Sequence, residues 1–63
     1  MKFITYEVRF SNTNYSTMFF ETEKQAMYKA NQFASNRSYQ TSCEVFKVVE
    51  TTTKLRLFPA AKQ

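Results

Sequence analysis

The sequence predicts an α+β domain in ββαββ order, an antiparallel sheet with one amphipathic helix packed on one face. Three observations point there. The first twenty-one residues alternate with period two on either side of the turn-forming run Ser11-Asn12-Thr13-Asn14, as a hairpin does. Ala26, Met27, Ala30, Phe33 and Ala34 then recur at helical spacing. Beyond them a valine-rich stretch has strand composition, and a shorter apolar run follows it and ends at Pro59.

Each element has its own warrant. Lys2 to Phe10 is rich in β-branched and aromatic residues and alternates cleanly, which predicts a first strand. The run 11–14 suits a hairpin loop of about four residues, because Asn tolerates positive φ and bonds its own backbone. Tyr15 to Glu21 is then the returning antiparallel strand. Thr22 is a good N-cap, Gln25 completes a Thr-x-x-Gln capping box, and Glu23 sits at the positive end of the helix dipole. The alanines let the helix lie close to one sheet face, with Met27 and Phe33 filling the gap, while Lys24, Lys29, Asn31 and Gln32 lie elsewhere on the helix. In Ser35-Asn36-Arg37-Ser38 the expected left-handed C-terminal residue is Asn36, Asn standing in at positive φ for the glycine this chain lacks.

Tyr39 to Thr52 is the third strand region. Cys43, Val45, Phe46, Val48 and Val49 put apolar residues on both faces, so alternation leaves open which face is inward and a central or doubly covered strand is expected. Thr51-Thr52-Thr53 makes a poor tight turn, Leu55, Leu57 and Phe58 predict a short fourth strand, and Pro59 stops it at an edge. Residues 60–63 read as a frayed tail. With no repeat and no linker, residues 1–63 are expected to be one small domain.

Composition narrows the function class. A chain of 63 residues buries only about 60% of the surface its unfolded form exposes, which leaves little room for a deep cleft. Hydrophobic residues at 43% and aromatics at 17% are too many for a disordered chain. No apolar run exceeds three residues, so no membrane span is expected, and the N-terminus lacks the apolar core of a signal peptide. The single cysteine, Cys43, reads as a small buried or half-buried side chain and fits a reducing compartment, so a cytoplasmic location is expected. Nine Lys and Arg against five Glu give +4, scattered with no basic run, which leans towards nucleic acid or an acidic protein surface as partner. Without His, Asp or Gly, the chain has no metal-ligand cluster, no nucleophile–histidine pair and no glycine-rich phosphate loop. Glu7 and Glu21, on the outer face of the hairpin, read as solubilising charge, so a non-enzymatic protein with no cofactor or metal is expected.

The positive lead is a sheet with apolar side chains on both sides and a single helix to cover one of them. Ile4, Tyr6, Val8, Phe10, Met18 and Phe20 fall on one side. Phe3, Tyr15 and Phe19 fall on the other beside Arg9 and Thr17, and Phe46 or Val45 and Val49 join from the third strand. Exposed aromatics with an arginine mark an interface with another protein. The same surface also suits a nucleic-acid platform, with bases stacked on Phe and Tyr and phosphates held by Arg9, Lys54 and Arg56. A homodimer is a third way of covering it. The candidate partner-binding residues are therefore Phe3, Arg9, Tyr15, Phe19, Lys54 and Arg56.

From Met18 to Val49 the chain runs strand, Glu21-Thr22 cap, an Ala26-x-x-x-Ala30-x-x-x-Ala34 helix, and the strand Glu44-Val45-Phe46-Lys47-Val48-Val49. In order and size this resembles the small phage-encoded proteins that disable host machinery, including inhibitors of bacterial RNA polymerase and anti-CRISPR proteins. The resemblance covers about half the chain and carries over no functional residue. It implies an enzymatically inert wedge that binds a host protein or nucleoprotein complex. Several such inhibitors mimic DNA with a dense acidic surface, and the +4 charge departs from that pattern.

Overall fold

β1 (Thr5–Phe10) and β2 (Met18–Phe20) pair antiparallel, α1 (Glu23–Ser35) packs against the sheet, and β3 (Cys43–Val48) and β4 (Thr52–Phe58) form a second antiparallel pair. β3 also pairs antiparallel with β1, so the strands lie in the order β2-β1-β3-β4. The class is α+β in ββαββ order, as the sequence predicts. The computed structural model describes residues 3–61, so Lys2 and Lys62 lie outside the described residues.

The helix begins where its cap predicts. Thr22 is extended (φ −126°, ψ 150°), and its Oγ1 accepts from the Gln25 N–H at 3.2 Å, a contact worth about 1 kcal/mol. Ala26, Ala30 and Ala34 are buried against Val8, Cys43, Val45 and Phe58, and Tyr6, Phe10, Met18, Phe20, Met27 and Phe33 pack half-buried around them. With no side chain beyond Cβ on its inner stripe, the helix sits close to the sheet. It covers the side of Tyr6, Val8 and Phe10, as expected. The orientation of β3, open from the sequence, is settled by Cys43 and Val45, both fully buried in this core. Pleat then sends Glu44, Phe46 and Val48 to the other face.

Several boundaries differ from the sequence reading, each for a physical reason. β2 is shorter than expected because residues 11–17 form a long loop in place of a four-residue turn, and β1, which ends at Phe10 as expected, starts only at Thr5, where its pairing with Val48 at the end of β3 begins. Contacts to a distant segment hold that loop: the Ser11 N–H donates to the Ser42 carbonyl (3.1 Å), Asn12 Nδ2 to the Tyr39 carbonyl (3.0 Å), and the Asn12 N–H to Thr41 Oγ1 (3.2 Å). Thr41 is buried, and its hydroxyl in turn donates to the Ser42 carbonyl at 2.9 Å. Asn36 caps the helix but is extended (φ −94°, ψ 112°), not left-handed: its N–H bonds the Phe33 carbonyl and its Oδ1 accepts from the Ser38 N–H. Among the described residues the left-handed one is Gln40, at φ 48°. Long loops and extended caps are how a chain without glycine avoids positive φ.

The β3–β4 turn falls at residues 49–51, where the Val49 N–H reaches the Thr51 carbonyl at 3.2 Å. Thr52 and Thr53 therefore belong to β4, which at seven residues is the longest strand and not the short one expected. Of the segment 60–63, where the sequence predicts a frayed tail, residues 62–63 lie outside the described residues, and the Ala61 N–H donates to the Ala34 carbonyl at 2.9 Å, at the C-terminal end of the helix.

Candidate interaction face

The side of the sheet away from α1 carries no other element among the described residues, and strand register sets which side chains line it. Glu7 of β1 pairs with Phe19 of β2 and with Phe46 of β3, and Phe46 pairs with Lys54 of β4, which makes one row across the sheet. A second row runs Arg9, Glu44, Leu57, and a third Thr5, Val48, Thr52. Apolar and charged side chains thus alternate along the first row, the second sets Arg9 beside Glu44, and the third is uncharged.

The charges on the face are matched internally. Arg9 Nε donates to Glu7 Oε1 at 3.0 Å, and its guanidinium carbon lies 4.2 Å from the centre of the Phe46 ring. Lys54 Nζ lies 2.7 Å from Glu44 Oε2. Two acids and two bases cancel, so on a chain of net charge +4 this surface is neutral. A phosphate approaching Arg9 or Lys54 has to displace a carboxylate already in place.

The apolar part of the face is open to water. Phe19 is 64% exposed and Leu57 is exposed as well, with Phe46 and Val48 half-buried between them. Phe3, two residues ahead of β1, is 79% exposed. Ile4, Thr5, Phe19, Phe20 and Glu21 line a shallow depression of about 150 Å³ at the β1–β2 end of the sheet.

Of the six residues singled out from the sequence, Arg9, Phe19 and Lys54 lie on this face, and Phe3 lies exposed just ahead of β1. Tyr15 does not. It belongs to the loop at 11–17, where pleat no longer sets orientation, and its ring packs against Phe10 (5.7 Å between centres), Phe33 (5.7 Å) and Tyr39 (5.6 Å) on the helix side. Arg56 is also on the other side. The β3–β4 register shifts at Val45/Phe46, so Lys54 pairs with Phe46 and Arg56 with Val45, leaving Leu55 as the extra residue of a bulge. Period two alone puts 54 and 56 on one face, and the bulge parts them. The Arg56 guanidinium lies over the Phe58 ring at 4.7 Å. Sequence reasoning missed Glu44 and Leu57 as members of the face, since their places follow from the orientation of β3 and the position of that bulge.

No three of His, Cys, Asp and Glu gather among the described residues in a way that could hold a metal. Cys43 is buried in the core, where burial pushes its thiol up to about 11, opposed in part by a hydrogen bond with the Ala34 backbone. It is a packing residue at neutral pH. Among the described residues no helix is long and apolar enough to cross a membrane. Compared with protein-family models, with curated proteins and with solved structures, the chain matches none.

Proposed function

We propose that this chain is a non-enzymatic binding protein that works in the cytoplasm by docking its open sheet face onto a host protein or nucleoprotein complex, the mode of the small phage-encoded inhibitors it resembles. The observation that carries the reading is the uncovered face itself. Phe19 and Leu57 stand exposed on it beside Phe46 and the guanidinium of Arg9, and aromatic side chains with an arginine are the residue types that dominate protein–protein hot spots. Internal pairing of Arg9 with Glu7 and of Lys54 with Glu44 favours a protein over a nucleic acid, because neither cation is held ready for a phosphate.

The test is capture from bacterial lysate by immobilised wild-type chain and by Phe46→Asp, with and without nuclease. The expected result is a discrete host protein retained by wild type, lost with Phe46→Asp, and indifferent to nuclease. Retention that ignores Phe46 overturns the reading. Retention abolished by nuclease and by moderate salt transfers it to nucleic acid.

A further inference from the structure

We propose that, in the absence of its target, the open face is covered by a second copy of the chain, in a face-to-face dimer with its two-fold axis running along the strands between β1 and β3. The inference rests on the reading of this face as a docking surface and names its resting occupant. A +4 chain repels its own copies over most of its surface, and the neutral face is where two copies can approach without like charges meeting.

Register makes the face self-complementary. The proposed axis exchanges β1 with β3 and β2 with β4. Arg9 and Glu44 are direct cross-strand partners, so the axis sets Arg9 of each copy opposite Glu44 of the other. Phe19 and Lys54 are the two ends of one row, so the same operation lays each Lys54 ammonium over the 64% exposed Phe19 ring of the other copy. In each copy Arg9 keeps Glu7 on its Nε and offers its remaining guanidinium nitrogens to the Glu44 of the other, while Lys54 exchanges its internal pair with Glu44 for the partner's Phe19 ring.

Sedimentation equilibrium from about 10 μM to about 1 mM, the range expected of weak interfaces, tests it. Wild type should pass from monomer to dimer mass across that range. Arg9→Glu alone and Glu44→Arg alone should each stay monomeric, since each variant sets like charges opposite one another twice. Mixed in equal amounts, the two variants should recover the dimer mass, because each then supplies the charge the other needs. Circular dichroism melts establish that the variants are folded. Should either fail to fold, Phe19→Ala, at an exposed position, should weaken the dimer by about tenfold through loss of both cation–π contacts. Wild type that stays monomeric at 1 mM, single variants that dimerise as wild type does, a mixture that stays monomeric, or indifference to Phe19→Ala each overturn the dimer. A monomer that still captures a host protein through Phe46 loses the second copy and keeps the docking face.

Discussion

The two faces of this sheet are built from similar residues and treat them in opposite ways. On the covered face, small side chains do the burying: Ala26, Ala30, Cys43, Val8 and Val45 have no exposed surface, and the larger Tyr6, Phe10 and Phe33 ring them half-buried. On the open face Phe19 is mostly in water, and Phe46 lies under the guanidinium of Arg9. Val45 and Phe46 are neighbours in sequence and fall on opposite sides. Size and apolarity therefore do not distinguish core from surface here. The position of a single helical lid does.

The sharpest way to break that comparison is to put the same charge on both sides of one peptide bond. Val45→Asp buries a carboxylate in the core beside Val8, and the cation opposite it, Arg56, is laid over the Phe58 ring, so the change should cost several kcal/mol against a total stability of about 3 to 9 kcal/mol for a domain this size. The variant should show no cooperative melt. Phe46→Asp should cost about 1 kcal/mol and melt cooperatively, because its side chain faces water and Arg9. If the two behave alike, the distinction between covered and open faces is wrong. Next in size is Phe33→Ala. Phe33 stacks on Tyr39 at 4.3 Å and packs on Phe10 at 5.1 Å and Tyr15 at 5.7 Å, so its loss should cost about 3 kcal/mol in chemical denaturation, the low end for an aromatic truncation because the ring is only half-buried.

A third test uses Cys43 as a reporter of the covered face. Its thiol is raised from 9.0 to about 11 by burial, so the unfolded chain gives up that proton at lower pH than the folded one. The stability tied to this group is fully present below pH 9 and is lost as pH rises towards 11. Urea melts at stepped pH should show wild type losing stability through that window relative to Cys43→Ala, which lacks the group. Equal slopes in the two chains would mean that the thiol is not desolvated in the fold. Alkylation should likewise be slow in the native chain and fast in urea.

Much of this architecture was legible from local pattern, and the failures are equally specific. The helix start was legible because capping is a local contact between Thr22 and Gln25, three residues apart. The covered side of the hairpin was legible because pleat alone places Tyr6, Val8 and Phe10 together. Tyr15 was misplaced because the pull on its loop comes from Tyr39 and Thr41, contacts that no local pattern records. Arg56 was misplaced by one extra residue at Leu55, since a bulge reverses every side chain beyond it and leaves no mark in composition. Leu57 escaped notice for the same reason, and Glu44 because apolar residues on both sides of β3 hide which face is inward.

The smallest expected effect sharpens the comparison most on the functional side. Lys54 and Glu44 form a close pair at 2.7 Å, yet both side chains are well exposed, at 50% and 39%. An ion pair in such a setting contributes less than about 1 kcal/mol, because water and salt screen it and two flexible side chains must be held still. Lys54→Ala should therefore leave the melting midpoint nearly unchanged while altering what the open face binds. A large loss of stability would mean that the pair helps to hold β4 on the sheet. The face would then be part of the framework, with its charges placed for folding rather than for contact.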